Sequence, residues 1–274
     1  MDNNQLKFCA KGSRRSGWEF IEETGYLASL VDCLEIDFNY PHDRNFHREL
    51  TYLKQLRLDR GMDFTVHAPY LSGSLNDLND NIRQETLRQI FYSIDCAAQI
   101  GAKIVTLHPA LEPYGLRLVK LPEIELNSYK KISDYARKKK IKIGLENEAQ
   151  TCFWFPDRAC RLGLLLKTVR QINKKNFGLT LDIGHANVSG EDYLAAIKDH
   201  HSQIFHIHAH DNLGGPEKNL RQYHRPDPHL APGRGRIDWP GVIRSLKKVN
   251  YSGYLEIECE SREIAKSLKY LKSL

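Results

Sequence analysis

Two patterns of apolar and polar residues alternate along the chain. One is a short apolar segment of strand-forming residues, typical of a buried strand, and the other is a longer stretch with apolar residues at helical spacing. The predicted strands are residues 6–11, 33–38, 63–67, 103–108, 142–146, 178–182, 204–208 and 253–258. The pattern therefore predicts eight strands separated by helices.

The clearest helical pattern covers residues 80–100, which carry Leu87, Ile90 and Ile94 on one face and are followed by Gly101, a typical helix terminator. Start signals at Ser189 and Asp238 predict the beginnings of two further helices. The other predicted helices are residues 121–140, 157–174, 191–199, 239–249 and 262–271.

Eight strand–helix units predict an α/β protein, a single-domain (β/α)8 TIM barrel spanning residues 1–274. The alternative is an open doubly wound sheet. A dinucleotide-binding sheet needs a glycine-rich turn directly after a strand, whereas the segment Gly233-Arg234-Gly235 follows a histidine-containing loop. This position favours the barrel.

Composition narrows the class of protein. Of the 274 residues, 41% are hydrophobic and 27% are charged, as expected of a chain with a substantial core. There is no apolar run long enough to span a bilayer, and the start of the chain lacks the pattern of a signal peptide. The six cysteines form no Cys-x-x-Cys pair, so we expect reduced thiols and a cytoplasmic location. From the lack of a long apolar run we expect no membrane partner.

Potential metal ligands stand at the ends of six consecutive predicted strands. A barrel brings all these ends to one mouth, where barrel active sites lie. The six are His67, His108, Glu146, Asp182, His208 and Glu258, and His185, Asp227 and His229 follow the ends of the sixth and seventh strands. A single such residue is usually a hydrogen-bonded cap, but buried carboxylates are costly without a cation. The set predicts bound divalent ions, with zinc or manganese as the best candidates.

Neighbouring residues compete for these positions. His206, His208 and His210 share one face of a strand, so we expect one or two of them to reach a metal and the others to contact substrate or support the ligands. Glu256 and Glu258 also share a face, and Glu258 is predicted to lie at the mouth. Other histidines are expected on the surface, namely His42, His47, His200, His201 and His224.

At these residues the chain resembles the xylose-isomerase-like barrel superfamily, which includes sugar and sugar-phosphate isomerases and epimerases and the endonuclease IV type of abasic-site endonuclease. The resemblance runs from the second predicted strand to the end of the chain. It rests on the segments 181–186, 208–212 and 227–233, the last leading into Ile237-Asp238-Trp239. These segments are typical of the superfamily rather than of one reaction.

The resemblance implies different site roles in its two branches. In the epimerase branch one metal is held by Glu146, Asp182, His208 and Glu258, the two glutamates act as acid and base, and His185 contacts substrate oxygens. In the endonuclease branch three zinc ions also use ligands that match His67, His108, His185, Asp227 and His229. Tyr70 matches an endonuclease site residue by position.

Local sequence favours the epimerase branch. The endonucleases carry Thr-Cys where this chain has Ile183-Gly184, and Asp-Arg-His where it has Asp227-Pro228-His229. They also have Asn where it has His210. The epimerase-type relatives often show Gly-Glu-Gly where this chain has Gly233-Arg234-Gly235, and this exchange of an acid for a cation favours a different substrate charge.

Three functional hypotheses follow. The first is a metal-dependent isomerase or epimerase that acts through a metal-stabilised enediolate on a small sugar or sugar phosphate. Tyr70, His185, His210 and Arg234 are its predicted substrate contacts, and Arg221, Arg225 or Arg234 is expected to hold a phosphate. The second is a multi-zinc phosphodiester hydrolase acting on abasic-site DNA, which the net charge of +6 also suits. The third is a metal or sugar binder without turnover.

Two further features complete the prediction. The segment 213–226 is a long, polar, basic stretch, interpreted as a loop that acts as a lid, a phosphate clamp or a partner surface. The sequence carries no signal for an oligomeric state.

Overall fold

Eight parallel strands close into a barrel in chain order, so the predicted fold class is confirmed. The computed structural model describes residues 6–13, 15–38, 46–70, 73–110, 121–150 and 157–274. The strands are β1 (Lys7–Lys11), β2 (Cys33–Asp37), β3 (Asp63–His67), β4 (Ile104–Leu107), β5 (Lys142–Glu146), β6 (Phe177–Asp182), β7 (Ile204–Ala209) and β8 (Tyr254–Ile257). Every strand bound falls within one residue of its predicted position.

Helices surround the barrel. They are α1 (Gly17–Leu27), α2 (Phe46–Arg60), α3 (Asp80–Ile100), α4 (Leu121–Lys138), α5 (Asp157–Cys160), α6 (Leu162–Ile172), α7 (Ile183–Val188), α8 (Tyr193–His200), α9 (Pro216–Tyr223), α10 (Trp239–Lys248) and α11 (Ile264–Lys272). None of the helices in the described part of the chain has the length and apolar character needed to cross a membrane.

Several predicted helix features are wrong in detail. The predicted helix 157–174 is two helices, because Arg161 has an extended backbone and caps the second of them. The predicted loop 213–226 contains α9. Ser189 ends α7 rather than beginning a helix, and the cap of α8 is Asp192, whose side chain accepts a hydrogen bond from the amide of Ala195. Asp238 caps α10 and Gly101 ends α3, as predicted.

The two faces of the strands are chemically different. The outward face of β2 carries Leu34 and Ile36, which pack in the continuous apolar core between the strands and the helices. The inward face is polar: Thr106 on β4 and Thr180 on β6 meet across the barrel, with their hydroxyl oxygens 3.1 Å apart. The apolar core therefore lies outside the barrel wall, and the interior holds polar side chains.

Strand register sets which inward residues become neighbours. His208 on β7 lies opposite Asp182 on β6 and Glu256 on β8, and Lys11 on β1 lies opposite Glu35 on β2. Because adjacent parallel strands keep such partners side by side, the fold gathers charged residues from separate parts of the chain.

Candidate metal centre

The carboxyl ends of the strands surround an open cleft of about 790 Å³. Its lining includes His67, Tyr70, His108, Glu146, His185 and Glu258. These ends form the face of the barrel where active sites of this fold lie. The structure thus brings the predicted site residues to one mouth.

The central cluster consists of Glu146, Asp182, His208 and Glu258, all buried, with one ligand atom from each within 4.8 Å of the others. The Nδ1 atom of His208 lies 2.9 Å from Oε1 of Glu146, 3.4 Å from Oε2 of Glu258 and 3.9 Å from Oδ2 of Asp182. Three carboxylates and one imidazole therefore converge at the floor of the cleft.

Local folding fixes the orientation of Asp182. It ends β6 and caps α7, since its Oδ1 accepts a hydrogen bond of 2.7 Å from the amide of His185. The other oxygen, Oδ2, is buried without a hydrogen-bond partner among the described residues. The helix cap holds one oxygen and leaves the other available as a ligand.

A second cluster adjoins the first through Glu146. Oε2 of this glutamate lies 3.3 Å from Nε2 of His67 and 3.0 Å from Nε2 of His108, and the two imidazole nitrogens are 3.1 Å apart. Separations close to 3.3 Å are those between ligands of a tetrahedral ion bound at about 2.0–2.1 Å. The three atoms are thus arranged to share one ion.

The opposite nitrogens of these two imidazoles each have a close polar neighbour. Nδ1 of His67 lies 3.0 Å from the carbonyl oxygen of Ala68, and Nδ1 of His108 lies 2.5 Å from Oε1 of Glu148. Such outer partners fix the tautomer of metal-binding histidines and orient the free nitrogen.

A third cluster contains His185, His210, Asp227 and His229. Nδ1 of His185 lies 2.9 Å from the carbonyl oxygen of Asn147, so its Nε2 is free to face Oδ2 of Asp227 at 3.5 Å. The rings of His210 and His229 are stacked with their centroids 3.8 Å apart, and Nε2 of His210 lies 3.0 Å from Oδ1 of Asp182. Carboxylate oxygens and imidazoles again converge, here with His229 partly exposed.

Electrostatics keep the glutamates ionised. Burial raises the pKa of the Glu146 carboxyl, but His208 and His108 outweigh it and hold the pKa well below its usual range. Burial also raises the pKa of Glu258, which Lys11 and His208 bring well below its usual range. Both carboxyls are therefore anionic at neutral pH, the form that binds metals.

The donor set fits a divalent ion of the zinc type. Oδ2 of Asp182 and Oδ2 of Asp227 are both buried without hydrogen-bond partners among the described residues, which is costly unless a cation contacts them. Mixed imidazole and carboxylate ligands are those that zinc, manganese, cobalt and iron accept. The identity and number of the ions remain a proposal.

The predicted substrate contacts occupy the cleft in different ways. Tyr70 stacks on His108 with ring centroids 4.1 Å apart. Arg234 donates to Glu263 over 2.9 Å, whereas Arg225, also at the cleft, is exposed and pairs with no carboxylate among the described residues. Arg221 lies on α9 and does not line the cleft.

Of the histidines expected on the surface, His47, His201 and His224 are exposed and His200 is half-buried, while His42 lies outside the described residues.

Sequence reasoning missed three charged residues near the predicted ligands. Lys11 ends β1 and forms a buried ion pair with Glu258. Glu148 supports His108, and Glu35 lies inside the barrel. Lys11 stands at a strand end like the predicted ligands, so a search for any charged residue at these ends, rather than for metal ligands alone, finds it.

The chain belongs to the xylose isomerase-like TIM barrel family, whose model matches residues 19–274. It is 30% identical to an uncharacterized protein of Methanocaldococcus jannaschii over 269 residues, which cover 95% of this chain and 84% of the relative. The predicted family resemblance is therefore confirmed.

Solved structures extend the comparison. A D-tagatose 3-epimerase-like protein superposes with a TM-score of 0.80 at 26% identity, covering 98% of this chain and 99% of the other. The IolI protein, solved with a bound zinc atom, superposes with a TM-score of 0.75 at 18% identity, covering 98% of this chain and 96% of the other. The second likeness concerns the fold alone.

Proposed function

We propose that this protein is a divalent-metal-dependent isomerase or epimerase of a sugar or sugar phosphate. The observation that carries the proposal is the central cluster, in which Glu146 and Glu258 join Asp182 and His208 at the floor of an open cleft. The likeness to a D-tagatose 3-epimerase-like protein supports the same class of reaction.

The two glutamates supply the acid–base chemistry. They come from the ends of β5 and β8, with β6 and β7 between them, so they approach a bound substrate from different directions. One carboxylate removes the proton from the carbon next to the substrate carbonyl, and an enediolate results. In isomerisation the first glutamate, now protonated, returns the proton to the neighbouring carbon, and the proton of the adjacent hydroxyl moves to the former carbonyl oxygen. In epimerisation the second glutamate, anionic at rest, first takes up a proton from water in the open cleft and then delivers it to the opposite face of the original carbon. When bound, a divalent ion acts as a Lewis acid toward the substrate oxygens.

Other residues of the cleft orient the substrate. His185 is held by the Asn147 carbonyl and faces the cleft, where it can hydrogen-bond sugar hydroxyls. Lys11 neutralises part of the charge of Glu258. Arg225 is the better phosphate ligand than Arg234, because Arg234 is already paired with Glu263.

The test is proton exchange at carbon. Purified protein with zinc or manganese is incubated in deuterated water with a panel of ketoses and ketose phosphates, and loss of the proton next to the carbonyl is followed by NMR. We expect Glu146→Gln and Glu258→Gln, compared at equal metal content, to slow exchange about 10²- to 10⁴-fold. The exposed Glu217 on α9 provides the matched control, Glu217→Gln. Unchanged exchange in both cleft variants would reject the mechanism.

A second candidate function is phosphodiester hydrolysis on abasic-site DNA. It is favoured by the two clusters that adjoin the central one, since His67, His108, Asp227 and His229 have no ligand role in a one-metal epimerase. Ions held by the three clusters would supply a hydroxide nucleophile and stabilise the leaving oxygen. Incision of an abasic-site duplex, together with binding that weakens steeply with salt, would favour hydrolysis over isomerisation. Binding that ignores salt would count against it.

A further inference from the structure

A fourth group of ligand-type residues lies inside the barrel, and three of its four members take no part in the proposed reaction. It consists of Glu35 on β2, His206 and His208 on β7, and Glu256 on β8. All four side chains are completely buried. Only His208 belongs also to the central cluster at the cleft. We call these four residues the interior cluster.

Four atoms of the interior cluster converge. Oε2 of Glu35 lies 3.3 Å from Nε2 of His206 and 3.5 Å from Nε2 of His208. Oε2 of Glu256 lies 3.3 Å from Nε2 of His206 and 2.9 Å from Nε2 of His208. A tetrahedral ion with ligands at about 2.0–2.1 Å separates those ligands by about 3.3–3.4 Å. The four measured separations lie around this value.

Hydrogen bonding alone does not account for the arrangement. Although Nε2 of His208 is 2.9 Å from Oε2 of Glu256, the two are not aligned as a hydrogen bond, and this nitrogen has no hydrogen-bond partner among the described residues. Oε1 of Glu35 and Oε1 of Glu256 are likewise buried without a partner there. These three ligand-type atoms of the cluster are therefore buried without a hydrogen-bond partner among the described residues.

Charge points the same way. Two carboxylates and two imidazoles lie where no solvent reaches them. The hydroxyl of Thr65 donates to Oε2 of Glu35 over 3.2 Å, and Nε2 of His206 forms a hydrogen bond of 3.3 Å with Oε2 of Glu256.

Burial raises the pKa of the Glu35 carboxyl, but His208 and His206 hold it well below its usual range. In the metal-free protein the two imidazoles thus supply the positive charge that a divalent ion would replace. The buried lysine nearby in register, Lys11, is paired with Glu258 at the cleft.

We propose that the interior cluster binds its own divalent ion of the zinc class, separate from any ion at the cleft. His208 then joins two sites, with Nδ1 facing the central cluster and Nε2 facing the interior cluster. Binding at both nitrogens would require His208 to release both ring N–H protons and bridge the two ions as an imidazolate, whereas an ordinary histidine ligand keeps one N–H. The interior ion ties β2, β7 and β8 together and fixes the orientation of His208, whichever reaction the cleft performs.

Anomalous scattering from crystals of the wild-type protein, soaked in zinc chloride and measured on both sides of the zinc absorption edge, locates the ions directly. We expect a peak about 2.1 Å from Nε2 of both His206 and His208, in addition to any peak at the cleft. Peaks confined to the cleft would overturn the proposal. This result does not depend on the substrate, so it is independent of the proposed function.

Ligand variants give a second measurement. Zinc content per chain is determined after saturation with zinc chloride and gel filtration, for Glu35→Gln and Glu256→Gln beside the wild type. We expect each variant to hold one ion fewer. Thr65→Val is the matched control, since it removes a hydrogen bond to Glu35 and keeps the ligands, so its zinc content should equal that of the wild type. An unchanged zinc content in both glutamine variants would contradict the proposal. If a variant fails to fold, the crystal experiment on the wild-type protein still tests the proposal.

Discussion

The inner and outer faces of the same strands serve different purposes. On β2 the outward residues Leu34 and Ile36 join the apolar core, while the inward Glu35 faces two imidazoles across the barrel. The outer face stabilises the fold by removing apolar surface from water. The inner face carries buried charge that is unfavourable without a cation. Stability and ligand chemistry are therefore divided between alternate residues of one strand.

The largest expected effect comes from an outer-face substitution. Leu34→Ala removes a fully buried side chain and leaves a cavity, so we expect a loss of about 2–5 kcal/mol in the free energy of unfolding. Thr106→Val on the inner face removes one hydroxyl contact, with Thr180, and should cost only about 1 kcal/mol. Urea denaturation of both variants measures the difference. Equal losses would show that the two faces are not divided as described.

Substitution of a predicted metal ligand should lower metal affinity strongly and change the stability of the folded protein little. Asparagine caps helices as well as aspartate does, so Asp182→Asn keeps the cap of α7 but removes a charge from the central cluster. We expect zinc affinity at the cleft to fall more than about 100-fold, beyond the usual effect of an outer partner. The unfolding free energy of the metal-free protein should change by less than about 1 kcal/mol. Zinc titration and urea denaturation of the apo protein check the two expectations, and unchanged zinc affinity would remove Asp182 from the ligand set.

Replacing a residue that orients a ligand should lower metal affinity less than replacing the ligand itself. Glu148 holds Nδ1 of His108, so Glu148→Gln weakens the orientation of the ring without removing the ligand. We expect a 10- to 100-fold loss of metal affinity in the cluster of His67, His108 and Glu146. Competition with a coloured zinc chelator measures it. His108→Ala is the comparison variant, and an equal or larger loss for Glu148→Gln would contradict the assigned order.

The fold was predictable because eight short apolar strand patterns recur along the whole chain, most of them separated by stretches with helical spacing. Asp238 and Gly101 marked helix ends through chemistry that depends only on neighbouring residues. The helices α1 and α2 were not predicted. In α2 charged residues are spread along the whole helix, so the sequence shows little apolar periodicity there. The cap of α8 was misplaced since Ser189 and Asp192 both stand before the helix, and only the folded chain decides between them.

The mouth was more predictable than the interior. His67, Glu146 and Asp182 each end a strand, and in a barrel that position alone predicts a common location. The interior cluster depends on the depth of each side chain and on β2 approaching β7 across the closed barrel. Glu35 lies in the middle of a strand, and the sequence alone does not show which residues of other strands lie opposite it. The barrel's closure, rather than any local motif, creates that cluster.

The smallest expected effect concerns the rim of the cleft. Arg225 is exposed and pairs with no carboxylate among the described residues, so its guanidinium is available for a substrate phosphate. Arg225→Ala should raise KM for a sugar phosphate about tenfold and leave KM for the corresponding free sugar unchanged, because a hydrogen bond to a charged group contributes about 1.5 kcal/mol or more. Arg234→Ala is the matched control, since Arg234 is held by Glu263, and it should have the smaller effect. A larger effect of Arg234→Ala, or equal changes for both substrates, would assign the phosphate contact elsewhere on the rim.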